Sequence, residues 1–307
     1  MIDTIITLKE TFELANSAKT FISSIIDVVK KNKDKELNSS GDSAQIGSSG
    51  DSAQIGSSGD YAKIGSSGHY AKIGSSGDSA KIGSSGHYAK IGSSGDSAKI
   101  GSSGDYAKIG SSGDYAKIGS SGHYAKIGSS GDSAKIGSSG DSAQIGSSGD
   151  YAKIGSSGHY AKIGSSGDSA KIGSSGDYAQ IESTGKKAVI SNIGYTSTTK
   201  AKKGSWITLA EYRANKEGNY EVYFVKTEFV DGKNIKADTF YGLYNKQFRE
   251  CIEIDRIQSL LLSKKNNIYK VYDISNSEIC YVVEKNDIFS HGKTIKEARE
   301  NLFYKIL

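Results

Sequence analysis

The 307-residue chain carries 39 Lys and Arg against 34 Asp and Glu, a formal charge of +5, with two cysteines and no proline. That mild basicity falls short of the concentrated patch of a nucleic-acid-binding domain, and two cysteines exclude a disulfide framework. No apolar run approaches the roughly 18 residues that span a bilayer. The opening stretch has Asp3 and no basic leader, so cytoplasmic synthesis without a signal peptide is expected.

Near the start, Ile5, Leu8, Phe12, Ala15, Ile22, Ile26 and Val29 recur in steps of three and four, broken only by Lys19. That spacing predicts an amphipathic helix within 1–37, with Asp3 or Thr4 as N-cap and the basic run Lys30–Lys33 at its C-terminal end. Its apolar stripe must be covered. Self-association into a homo-oligomer, folding back as a solenoid cap and lying on a membrane are the options. Balanced acids and lysines disfavour the membrane, and a polar solenoid exterior disfavours the cap. The seven stripe residues are therefore the predicted oligomerisation surface.

Residues 38–181 are sixteen nonapeptides of the form Gly-Ser-Ser-Gly-Asp-Tyr-Ala-Lys-Ile. Ile holds the ninth position and Ala the seventh throughout; the eighth is Lys or Gln, the sixth Tyr or Ser, the fifth Asp or His. Ala and Ile alternating with polar residues is strand periodicity, and the Gly-Ser-Ser-Gly stretch supplies turns. A flexible linker has no reason to hold that phase. One unit buries too little to offset the ordering of nine residues, so successive coils must share ladders and core.

The repeat histidines His69, His87, His123 and His159 all fall on even-numbered units. A coil of two units places them on one face, which predicts a two-sided parallel β-solenoid with 18 residues per coil. Ile55, Ile73, Ile91 and Ile109 should then form one inward ladder, with Ile64, Ile82, Ile100 and Ile118 opposite. The twelve repeat lysines equal the twelve repeat aspartates in number, which points to solvated outer faces.

Nine residues per unit and two units per coil resemble the calcium-binding RTX β-roll, in part. The first and fourth glycines agree. The acid sits at the fifth position, however, and Tyr or Ser stands where the calcium-binding Asp belongs, so neither calcium nor any other cofactor is expected. The Gly-Asp-Tyr-Ala phrasing also resembles the head repeats of trimeric adhesins, whose repeats are longer.

After Ile181 the repeat decays. Glu182–Ile190 reads as a seventeenth unit and Asn192–Lys202 as a degenerate cap, closing a solenoid domain over 38–203. Beyond it, Trp206–Tyr212, Tyr220–Val230, Asp238–Tyr244, Tyr269–Ile274 and Ile279–Glu284 read as strands. Asp231-Gly232 marks a turn, Ile254–Leu262 a short helix, and Thr294-x-x-Glu297 a capping box opening a last helix, Ile295–Ile306. The result is a small α+β domain over 204–307, and the fold class is mainly β. Gly-Ser-Trp-Ile-Thr-Leu-Ala-Glu followed by His-Gly-Lys-Thr resembles an uncharacterised module of phage and bacterial proteins. That resemblance covers about 205–307 and implies no activity.

Chemistry is thin in this region. Gly292-Lys293-Thr294 imitates the tail of a phosphate-binding loop, but Asp287 stands where its first glycine belongs. His291, with Asp287 nearby and Glu211 and Glu253 remote in sequence, reads as a turn residue. Cys251 and Cys280 sit in apolar runs and read as buried free thiols. No catalytic, cofactor-binding or metal-ligating set emerges. The expected function is non-enzymatic: a solenoid spacer displaying a C-terminal binding module to a protein or surface partner, within a phage particle or another assembly. The alternative is a polyanion or nucleic-acid binder using the Lys and Tyr ladders with the basic C-terminal domain.

Overall fold

The computed structural model describes residues 36–254 and 257–306. The helix predicted within 1–37, with its stripe of Ile5, Leu8, Phe12, Ala15, Ile22, Ile26 and Val29, lies outside the described residues. The chain divides into two compact units, Met1–Ile154 and Gly155–Leu307. Nineteen four-residue strands begin at every ninth residue, from β1 (Glu36–Ser39) and β2 (Gln45–Ser48) to β18 (Val189–Asn192) and β19 (Thr198–Ala201). The turns between them follow from the Gly-Ser stretches.

In the first unit each strand pairs in parallel with the strand 18 residues away, so the coil has the expected two nonapeptides. Ile55, Ile73, Ile91 and Ile109 stand opposite one another in one sheet. Ile64, Ile82, Ile100 and Ile118 do so in the other. These side chains and the alanines two residues before them are buried. Lys at the eighth position faces outward and Ser at the second faces inward. Only small side chains fit beside the Ile ladders. Some of these serines accept a turn N–H, as Ser93 Oγ does from Gly95 at 3.3 Å, whereas Ser66 and Ser84 find no partner in the structure.

The interchange of Asp and His at the fifth position has a backbone cause. On the edge that carries the histidines, the fifth-position N–H donates to the fifth-position side chain one coil earlier. His69 N donates to Asp51 Oδ1 at 3.0 Å, His87 N to His69 Nδ1 at 3.2 Å, and Asp105 N to His87 Nδ1 at 3.0 Å. Carboxylate Oδ1 and imidazole Nδ1 branch from the same Cγ, so either serves as acceptor; the imidazole then holds its proton on Nε2. His87→Asn keeps such an acceptor and is expected to leave stability nearly unchanged. His87→Leu should cost about 1 kcal/mol, read as a lower urea midpoint, because one hydrogen bond is lost at a solvent-accessible turn.

Up to Tyr115 the next peptide is oriented oppositely on the two edges of the coil, and from Ser133 (φ 58°) both edges share the forward orientation. Tyr70, Tyr88 and Tyr106 have φ of 58°, 59° and 58°, and the N–H of Tyr70 points forward to His87 O at 2.9 Å. On the other edge, the Tyr61 N–H points back to Asp42 O at 2.7 Å. The same nonapeptide therefore makes two kinds of turn.

In the second unit, β15 (Lys162–Ser165), β17 (Gln180–Ser183) and β19 form one parallel set; β16 (Lys171–Ser174) and β18 belong to the other. The stretch expected as a degenerate cap instead continues the coil, because Thr199 stands opposite Ile181 and is fully buried. Closure comes from antiparallel strands, which protect a parallel edge without extending the repeat. β20 (Trp206–Ala214) pairs with β18 one residue short of the period, Trp206 opposite Val189, and β21 (Tyr220–Phe229) folds back on it. β22 (Phe240–Tyr244) pairs antiparallel with β19 through Thr199 and Tyr241.

From β22 the sheet continues through β23 (Gln247–Ile254), β24 (Ile257–Lys265), β25 (Ile268–Asp273), β26 (Glu278–Lys285) and β27 (Ile288–Gly292). The short helix expected over Ile254–Leu262 is corrected to parts of the two strands β23 and β24. Its apolar spacing suits a helix, but β23 and β25 flank β24 and satisfy its backbone, and tertiary pairing overrides the local pattern. The last helix, α1 (Ile295–Ile306), buries Ala298 and Leu302 against Val283. Thr294 Oγ1 accepts the Glu297 N–H at 3.2 Å, and Glu297 reaches back to the Lys293 N–H at 2.8 Å. No helix among the described residues is long and apolar enough to cross a membrane.

Candidate functional site

Within the second unit, a cavity of about 300 Å³ opens between the last coil, β20 and the sheet that follows β22. Five tyrosines wall it: Tyr195, Tyr212, Tyr220, Tyr244 and Tyr272. Tyr195 occupies the fifth position of the final nonapeptide, where Asp or His stands in the sixteen regular units and Lys186 in the seventeenth. Its N–H still donates to the coil below, at Asp177 Oδ1 (2.9 Å). With no further coil to serve, the side chain need not be an acceptor and turns to the cavity. Its ring lies 4.6 Å from that of Tyr220 and meets Tyr178 and Tyr212 edge-on at 5.6 and 5.8 Å. Its hydroxyl sits 2.5 Å from Ser277 Oγ. Opposite, the Tyr244 and Tyr272 rings lie 4.6 Å apart.

Charge in the cavity is internally balanced. Glu211 is buried, and its Oε1 accepts both Nε and Nη2 of Arg213 at 3.2 and 3.1 Å. Its Oε2 accepts the Lys246 N–H at 2.7 Å. The ladder register shifts between Glu211 and Tyr212, and such a bulge re-aims neighbouring side chains. The Arg213 guanidinium lies 3.6 Å from the Tyr223 ring centroid. Burial pushes the phenols of Tyr195, Tyr212 and Tyr272 above the ordinary tyrosine range, and the hydrogen bond with Tyr195 does the same for Tyr220. These groups stay protonated donors at neutral pH.

The arrangement offers flat aromatic walls, phenolic and serine hydroxyls, and an Arg213–Glu211 pair that satisfies itself. It suits a polar ligand with apolar faces. The Glu211 carboxylate is poorly placed as a general base, since both oxygens already accept hydrogen bonds.

Among the residues singled out from sequence, Glu211 alone lines this cavity; His291, Asp287 and Glu253 do not. His291 lies on β27 opposite Val282, and Asp287 sits in the preceding turn with φ of 61°. Gly292-Lys293-Thr294 is a strand-to-helix junction: a Cβ on Gly292 would lie 2.4 Å from Ala298 N, so only glycine lets α1 approach. Cys251 and Cys280 are free and partly buried. Burial pushes the Cys251 thiol up to about 11 and also raises Cys280, so neither is an activated nucleophile. Among the described residues no three His, Cys, Asp or Glu side chains are grouped to hold a metal ion. The tyrosine wall escaped the sequence reading because its members stand far apart in the chain; the one available signal was the density of tyrosine after residue 190.

Compared with known proteins, the chain matches no family model, no curated protein and no solved structure.

Proposed function

We propose that this protein is a non-enzymatic binding scaffold, in which a β-solenoid displays a C-terminal module that holds a saccharide unit in its tyrosine-walled cavity. The observation behind this reading is the cavity itself: five tyrosines enclose about 300 Å³, and the one buried acid beside them is neutralised by Arg213. A pyranose presents C–H faces to aromatic rings and hydroxyls to Tyr, Ser and Asn, which this lining provides. Resemblance of the C-terminal part to phage and bacterial modules favours display in a phage or cell-surface assembly, where weak sites gain strength through multivalency.

Saturation-transfer NMR with a panel of hexoses, N-acetylhexosamines and their disaccharides tests this reading. At least one should bind, and Tyr220→Ala at the exposed rim should weaken it by about tenfold, the loss of roughly one stacking contact. Tyr304→Ala, three-quarters exposed on α1 and outside the lining, is the control. Absence of transfer to every saccharide, or equal binding by Tyr220→Ala, would overturn it.

A further inference from the structure

We propose that one edge and face of the first unit form a binding surface for an acidic polysaccharide, separate from the tyrosine cavity. Lys72, Lys90, Lys108 and Lys126 stand opposite one another on successive strands. The row is bracketed by Gln54 and Gln144 in the same register. Two residues before each lysine come Tyr70, Tyr88, Tyr106 and Tyr124, all exposed. Immediately before those stand His69, His87, Asp105 and His123. Four consecutive coils therefore gather four lysines, four tyrosines and a single acid on this edge.

Equal totals of Lys and Asp hid that segregation. The next acids on this edge cap the two ends of the row, Asp51 beneath His69 (3.0 Å from its N–H) and Asp141 above His123 (3.7 Å from its Nδ1), whereas Asp60, Asp78, Asp96 and Asp114 lie in the opposite turn. None of the four lysines stands in an ion pair among the described residues, and Asp105 is itself 3.7 Å from His87 Nδ1. Beside the lysines runs a row of outward glycines, Gly74, Gly92, Gly110 and Gly128, where even an added Cβ would touch nothing within 4 Å. The face is thus a smooth furrow flanked by cations spaced about 4.8 Å apart. Stacked like charges are destabilising, and the glutamines at either end of the row show that the coil does not need a charge there. A polyanion would relieve the repulsion.

The tyrosines decide which polyanion fits. Their rings stack on one another at 5.0–5.1 Å with planes 6–9° apart, so they offer few free faces to nucleic-acid bases. What the row offers is ring edges and hydroxyls beside a line of ammonium groups. A polyuronate supplies the complement: one carboxylate per sugar, a repeat comparable to one strand spacing, and hydroxyls between.

The test is equilibrium binding of the full chain to alginate at low and moderate salt, with dextran as the neutral polymer and an oligo(dT) strand as the nucleic-acid alternative. Alginate should bind with an affinity that falls as salt rises, while any binding of dextran, which only the cavity could hold, should be indifferent to salt and to the lysine substitutions. The variant with Lys72, Lys90, Lys108 and Lys126 all changed to Gln should lose about tenfold or more. Changing Lys63, Lys81, Lys99 and Lys117 to Gln alters net charge equally on the opposite sheet and should cost far less. Tyr220→Ala should leave alginate binding unchanged, which separates this surface from the cavity. Equal losses in the two quadruple variants, no alginate binding at low salt, or tighter binding of oligo(dT) would each overturn the proposal. Circular dichroism of both variants should match the parent.

Discussion

Gly77→Ala is expected to disrupt the solenoid locally, lowering stability by about 3 kcal/mol or more, while Gly74→Ala three residues earlier should be neutral or stabilising. A Cβ on Gly77 would lie 1.9 Å from the carbonyl oxygen of Gly59 and 2.5 Å from its carbon. Both atoms belong to the backbone of the coil below, so no rotamer change relieves the clash. The coils would have to separate by more than an ångström, breaking ladder hydrogen bonds on either side. Gly74 faces outward, where an added Cβ would meet nothing within 4 Å, and the equivalent positions of β17 and β18 already hold Glu182 and Ser191, opposite Gly164 and Gly173. A side chain there also favours the strand by about 0.5–1 kcal/mol over glycine. Urea unfolding of the two variants would show the contrast. Similar midpoints would mean that the coils are not packed at the separation described.

Ile82→Asp should destabilise by about 3–5 kcal/mol, the range for an uncompensated buried charge. Ile82 is 4% exposed, between Ile64 and Ile100 in its ladder. Only Ala, Ile and Ser surround it inside, and none offers a cation. Lys81→Gln is expected to be nearly silent, since Gln45 holds the same outward register in this sheet. Coils in a solenoid contact mainly their neighbours, so the damage should be local. Hydrogen exchange should show lost protection in the strands holding Ile64, Ile82 and Ile100, with less change in strands several coils away. Uniform loss along the whole repeat would instead indicate a single cooperative unit.

Several features were legible in the sequence because they depend on neighbours a few residues apart. Ala and Ile in fixed alternation with Lys and Tyr determine which side chains turn inward, and the nine-residue period sets where each strand begins. The common parity of His69, His87, His123 and His159 indicated the two-nonapeptide coil, since repeated side chains align only when the coil length matches their spacing. Thr294 and Glu297 marked the start of α1 for the same local reason.

Other features were decided by pairing between distant residues. Thr199 continues the Ile181 ladder although Gly194 is the one residue of Asn192–Lys202 that keeps the repeat's letter, because a buried position asks for shape and register more than for a letter. Residues 257–262 extend as part of β24 rather than coil into a helix because β23 and β25 supply their hydrogen bonds. Tyr195 reaches Ser277, 82 residues away, and the cavity exists only through that closure. Equal numbers of Lys and Asp resolved into a cationic stretch on one edge and a more acidic opposite edge, which holds eight of the twelve repeat aspartates, once the coil assigned each position to a face or an edge. Side-chain alternation acts between adjacent residues and can be read from their order. Closure, cavity and charge segregation arise between residues that meet only after the chain has folded, so they required the tertiary structure.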